Sequence, residues 1–240
     1  MIDVIHQKQN AMDGSTVPAT TRDRIADTAE RLFRSMGYQK TAVADIAREL
    51  GMSPANIYRF FPSKSAINEA ITERLLIALF HGAEAAASSE GTAAARLAAM
   101  AEHFRASSIA MFFNEKRMHD MVSAAISEHW GVIAGYIQRF LALTESVIRA
   151  GMESGEFADG DPAAAAMAFK QVTLAWHHPM MVEECMRIGE GEDAMRAQMH
   201  TTLAYFIAGL KRGIRWPLLI FDFRQFILFA GCGEADTPKR

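Results

Sequence analysis

A single glycine sets the strongest limit on how this chain can fold. In DIARELGMSPANIYRFFPSK, residues 45–64, Gly51 stands between two short apolar stripes that no single helix can join. Val43, Ile46, Ala47 and Leu50 fall at i, i+3, i+4 and i+7, so they bury one side of a short helix. Gly51 follows its last turn, where a left-handed residue reverses the chain at little steric cost. Ser53 is placed to cap the next helix, and Pro54 suits its first position. Met52 and Ile57 take the staple positions around that cap. Ile57 and Phe61, four apart, point back to the same core, and Ala47 is small where the helices must cross. The stretch predicts two short helices locked at a fixed angle.

That packing leaves Ala55, Asn56, Tyr58 and Arg59 facing outward near the start of the second helix. A core-filling helix has little use for such a face, whereas a helix-turn-helix presents it to the DNA major groove. Asn56 can donate and accept at a base edge, and Arg59 can pair with guanine or phosphate. Tyr58 offers a hydroxyl to phosphate and a ring to a thymine methyl. Lys64 begins the following helix, where dipole and ammonium both favour an anion.

Residues 41–64, TAVADIARELGMSPANIYRFFPSK, resemble the DNA-binding signature of the tetracycline-repressor (TetR/AcrR) family. The resemblance extends over residues 22–76 and includes Phe33, Gly37, Thr41, Asp45–Ile46–Ala47, Gly51–Met52–Ser53, Ile57–Tyr58, Phe61 and Lys64. It implies a homodimeric repressor whose C-terminal domain binds a small molecule and so alters the spacing of two reading heads. By position it adds Thr41, Ser53 and Pro54 to Asn56, Tyr58, Arg59 and Lys64 as DNA contacts. Two positions depart from the pattern. Ala42 stands where a second hydroxyl is common, and Phe60 where a histidine often meets phosphate, which shifts weight to Arg59, Lys64, Arg22 and Lys40.

The rest of the chain is helical in its spacing, with Gly, Pro and Ser clusters between the periodic segments and few strand signals. Helices are expected over 22–36, 63–80, 92–113, 115–128, 130–154, 162–188 and 192–212. The first has Ile25, Ala29, Leu32, Phe33 and Met36 along one face. The fold class is all-α: a three-helix head joined by a long helix to a larger bundle. Residues 1–20 read as an arm without the apolar run of a signal peptide, 21–66 as the head, 67–212 as the bundle and 213–240 as an apolar tail. The tail's apolar run is too short to span a bilayer, and Asp222, Arg224 and Gln225 break it. A net charge of −3 gives no overall basicity, so any DNA affinity must be local. Two cysteines, Cys185 and Cys232, form no framework and fit a reducing cytoplasm.

The bundle carries stripes rich in Met, Phe and Trp with a few polar groups, a composition that suits either a core or a ligand pocket. The candidate pocket is His103, Phe104, Trp130, Trp176 and His177, with Ser107 as a further polar group and Pro179 expected to kink its helix. The implied effector is a small hydrophobic, aromatic molecule. His177, His178, Glu183, Glu184 and Cys185 lack metal-site spacing, and no nucleophile elbow, phosphate loop or paired carboxylate occurs. No catalytic residue, metal or cofactor is therefore expected. Leu203, Phe206, Ile207 and Leu210 offer a long apolar stripe for a dimer interface, a symmetry that matches a palindromic operator. The chain reads as a cytoplasmic, ligand-responsive repressor of double-stranded operator DNA, with no membrane partner. Residues 129–157 resemble regulators found beside multidrug efflux pumps. Two other readings share the fold pattern: a DNA-bound scaffold that recruits a protein without an inducer, and a metal enzyme built on the His177–Cys185 cluster.

Overall fold

Three of the helices that build the head begin at a hydroxyl side chain that satisfies an orphan backbone donor. In a computed structural model of the chain, described for residues 20–128, 130–189 and 191–214, α1 (Thr21–Met36) starts at Thr20. The Thr20 hydroxyl accepts from the Asp23 N–H at 3.2 Å, and the Asp23 carboxylate accepts from the Thr20 N–H at 3.0 Å. α2 (Val43–Glu49) follows Ala42, whose N–H donates to Asp45 at 2.9 Å. α3 (Pro54–Tyr58) is capped by Ser53, which accepts from the Asn56 N–H at 3.3 Å, with Pro54 in the first turn. Between them Gly51 takes φ +65°, and the Met52 N–H closes the turn on Ala47 O at 2.8 Å. α4 (Lys64–Ala87) starts at Ser63, whose hydroxyl accepts from the Ala66 N–H at 3.0 Å.

Ile25, Ala29, Phe33, Ile46, Ala47, Ile57, Phe61, Ile67 and Ile71 form the head core, as the stripes require. Burying each large member stabilises the fold by about 1.5–3 kcal/mol before chain entropy is counted. Met36 departs from the expected face and is 39% exposed. The chain turns at Gly37 (φ +91°) and lays Tyr38 edge-on against Phe33, ring centres 5.3 Å apart, so Tyr38 takes the buried place.

The body contains α5 (Ala93–Asn114), α6 (Lys116–Glu128), α7 (Trp130–Glu153), α8 (Pro162–Thr173), a 3₁₀ turn (Leu174–Trp176), α9 (Pro179–Arg187) and α10 (Glu192–Lys211). α4 runs through Phe80 to Ala87, ending where the SSEG stretch at 88–91 begins, and packs along α5. The expected helix over 162–188 is two helices. Pro179 does not kink a continuous helix but opens α9, because a residue before proline is driven out of the α region. His178 accordingly has φ −76° and ψ 127°. Residues 1–19 and the tail from 215 lie outside the described residues.

The body core joins Leu97, Met100, Phe104, Phe140, Ile148, Phe169, Trp176, Met199, Leu203, Phe206 and Leu210. Leu203, Phe206 and Leu210, expected at a dimer interface, are thus buried within the chain itself. The outer face of α10 instead presents Ala197, Thr201, Ala204 and Tyr205, the last 76% exposed. The Arg105 side chain is wholly buried; it pairs with Glu102 of its own helix at 2.7 Å and ties α5 to the start of α10 through Glu192 at 3.3 Å. The guanidinium holds the Glu102 carboxyl below its ordinary range.

α4 and α5 approach closely at Gly82. A Cβ there would stand 2.1 Å from the His103 ring, whose Nε2 lies 2.8 Å from Leu79 O. Gly82→Ala should cost about 1–3 kcal/mol by forcing that ring out of place. His103→Ala should relieve the clash, so in urea melts the double variant loses less than the sum of the singles. Additive losses would show that the ring does not fill the notch.

Candidate DNA interface and ligand cavity

The outward side of α3 is built as the sequence requires. Ser53, Pro54, Ala55, Tyr58, Arg59 and Phe60 are exposed, Asn56 is half-buried, and Ile57 and Phe61 anchor the helix from below. Arg22 is exposed and lies over the Phe61 ring at 4.5 Å, so its charge is held beside the start of α4. Lys40 and Arg48 are exposed on the same head.

Thr41 and Lys64 are placed otherwise than the resemblance implies. Thr41 is 1% exposed and donates its hydroxyl to Gly37 O at 2.9 Å. The Lys64 ammonium donates to Tyr38 O at 3.0 Å, Thr41 O at 3.2 Å and Gln39 O at 3.5 Å, and sits 4.4 Å from the Tyr38 ring centre. A cation at a helix start is unfavourable to that helix's dipole. Here it is turned away, onto carbonyls just beyond the end of α1. Both side chains clamp the 37–41 loop under the reading helix. The Lys64 contacts span 23 to 26 residues and carry no local signal, which is why sequence patterns assign that group outward.

Head and body share structure. Met118 and Met121 of α6 are buried in the head core. Arg34 of α1 pairs with Glu115, just before α6, and with Glu30 at 2.9 Å, while Arg117 donates to Arg34 O at 3.0 Å.

Below the head, α4, α5, α6, α7, α8 and the 3₁₀ turn enclose a cavity of about 110 Å³. Leu75, Leu76 and Leu79 of α4 line it, with Val122 and Ile126 of α6, Ile133, Tyr136 and Phe140 of α7, and Phe104. Lys170, His177 and His178 supply its polar wall. Of the expected pocket residues, Phe104 and His177 are therefore present. His103 points into the Gly82 notch, and Trp176, at the end of the 3₁₀ turn, is packed into the body core. The Trp130 side chain lies outside the described part. Ser108, not Ser107, is the lining serine, and it donates to His177 O at 2.9 Å. Tyr136 and Lys170 were missed: helical spacing shows which face is internal, not where the packing leaves a void.

Desolvation dominates the electrostatics here. It lowers His177 and His178 to about 4, so both are neutral near pH 7. His177's residual accessible surface faces the cavity. Burial raises the Tyr136 phenol above its usual value and lowers the Lys170 ammonium below its own. The His177–Cys185 cluster is dispersed. Glu183 pairs with Lys116 at 2.8 Å and Glu184 with Arg187, while His177 faces the cavity. Among the described residues no three His, Cys, Asp or Glu groups are arranged to hold a metal ion, and no helix is long and apolar enough to cross a membrane.

Fold and head together define a two-domain helix-turn-helix protein with an all-helical body. The profile of bacterial regulatory proteins of the tetR family matches residues 25–71, and that of the tetracyclin repressor-like C-terminal domain matches 93–196. The chain belongs to the TetR family of transcriptional regulators. It is 27% identical over 149 residues to the HTH-type transcriptional regulator EthR of Mycolicibacterium smegmatis, covering 58% of this chain and spanning 64% of that protein's length. Among solved structures it is similar to the fatty acid degradation regulator FadR of Bacillus halodurans, with TM-score 0.58, 16% identity and coverage of 81% and 98% of the two chains. It is also similar to SmeT, the repressor of the Stenotrophomonas maltophilia multidrug efflux pump SmeDEF, with TM-score 0.55, 21% identity and coverage of 82% and 94%. At these identities the structural likeness establishes the fold.

Lys64→Met should lower thermal stability by removing the clamp on residues 37–41, and should weaken binding to every DNA sequence through a loosened head. Arg59→Ala should leave the melting curve in place and reduce the salt slope of DNA binding by about one unit. A Lys64→Met protein that melts like wild type would return that ammonium to the phosphate.

Proposed function

We propose that the protein is a ligand-responsive repressor, which binds a palindromic operator as a dimer and is released by a small molecule in the cavity. The observation that supports this most is shared walls. α4 contributes Ile67 and Ile71 to the head core and Leu75, Leu76 and Leu79 to the cavity. α6 contributes Met118 and Met121 to the head and Val122 and Ile126 to the cavity. A ligand that spreads the cavity walls must move residues that seat the reading head. Release of DNA follows if the ligand favours the arrangement in which the heads are mis-spaced.

On this reading Ser53, Pro54, Asn56, Tyr58 and Arg59 meet DNA, with Arg22 and Lys40 adding charge at the rim. Ser53 keeps a hydroxyl proton to give to phosphate, because it accepts in its cap. Thr41 and Lys64 act behind that surface by fixing its backbone. The dimer forms through the small-residue face of α10, where Ala197, Thr201 and Ala204 permit close helix approach and Tyr205 supplies apolar area. Such a regulator works in the cytoplasm. An efflux operon is the target to examine first, on the resemblance of residues 129–157 to pump regulators.

The expected footprint is two-fold symmetric, with half-sites about 34–36 Å or a multiple apart. Asn56→Ala should cost about 1–3 kcal/mol on the operator and nothing on random DNA. Ala204→Arg should sediment as a monomer and lose the footprint, because one head has too little contact area. A dimer that survives Ala204→Arg would move the interface. A monomer that still protects both half-sites would end the dimeric reading.

A further inference from the structure

We propose, on the reading that the cavity is the effector site, that the effector is a small hydrophobic monocarboxylate whose carboxylate is held by the Lys170 ammonium. Lys170 is the one cationic side chain among the described residues of the cavity wall. No ion pair within the described part of the chain involves it, and no carboxylate acts on its titration, which desolvation alone shifts downward. An ammonium partly removed from water is costly unless an anion meets it. The acidic groups of the neighbouring α9 are engaged elsewhere, Glu183 with Lys116 and Glu184 with Arg187. Among the described residues no counter-charge meets it, and a ligand can supply one.

The remaining wall fixes the rest of that ligand. His177 and His178 are neutral near pH 7, so the polar end carries one positive charge and matches a monoanion. Their rings and the Tyr136 hydroxyl can add neutral hydrogen bonds, whereas Ser108 is already committed to His177 O. Everything else is apolar: Leu75, Leu79, Val122, Ile126, Ile133 and Phe140 give a sugar, nucleotide or zwitterion no second polar anchor. The volume of about 110 Å³ is small, so one aromatic ring or a short chain fills it and presses on its walls. An engineered protein cavity of roughly 150 Å³ takes benzene.

Matched acids and amides separate the charge from the apolar body. Benzoate against benzamide, and hexanoate against hexanamide, would be titrated calorimetrically into the full-length protein at pH 7.5, with operator release followed in parallel. The acid should bind at least tenfold more tightly than its amide in wild type. Lys170→Met should bring that ratio close to one, while Lys170→Arg should keep most of it. Equal affinity for acid and amide in wild type, an unchanged ratio in Lys170→Met, or no binding of either acid overturns the proposal. Acids that bind with the expected ratio but leave operator bound would support the carboxylate site and refute its role as the effector site. Amides that release operator where acids neither bind nor release would do the reverse.

Discussion

Two helices that each belong to two cores govern this molecule. α4 and α6 leave the head core and become the walls of the body cavity without a break, so neither domain has a private set of supports. Protein interiors are packed about as densely as organic crystals, and a wall that shifts cannot be absorbed locally. The Arg34–Glu115 and Arg34–Glu30 pairs, with Arg117 on Arg34 O, add a polar latch where α1 meets α6. A boundary at residue 66 divides the chain by function, but it cuts a rigid helix just after its start.

Against that frame the head is a stiff object. Caps at Thr20, Ser53 and Ser63 set where its helices begin, and Gly51 sets the angle between α2 and α3. Lys64 and Thr41 then pin the 37–41 loop from beneath. The outward residues of α3 are therefore presented on a fixed backbone, which base readout demands, since a bidentate contact tolerates little displacement. On the proposed mechanism it is the position of the whole head that changes, through the shared helices.

What the sequence could tell depended on distance along the chain. Cap, turn and stripe are settled within seven residues, and Gly51, Ser53, Pro54, Ile57 and Phe61 behave as their local chemistry requires. The carbonyl partners of Lys64 lie more than twenty residues away, so no local pattern shows that the ammonium meets this loop. Leu203, Phe206 and Leu210 were misread for a different reason. A strongly apolar stripe describes burial, not what buries it, and here the subunit's own α5 and α8 do so. The cavity was half legible. Composition marks Phe104 and His177, whereas Trp176, in a 3₁₀ segment, packs into the body core, and nothing in the local pattern singles out Lys170.

Release of operator by a cavity ligand requires the cavity and the head to move as one mechanical unit. Pulsed electron–electron resonance between spin labels placed at the exposed Ala44 of each subunit, with Cys185 and Cys232 replaced, reads the separation of the heads directly. With operator the distribution should be narrow, at a value set by half-sites about 34–36 Å apart or a multiple of that. Adding a compound that releases operator should move the distribution away from that value. Identical distributions with and without such a compound, under conditions where DNA is released, would contradict coupling through α4 and α6.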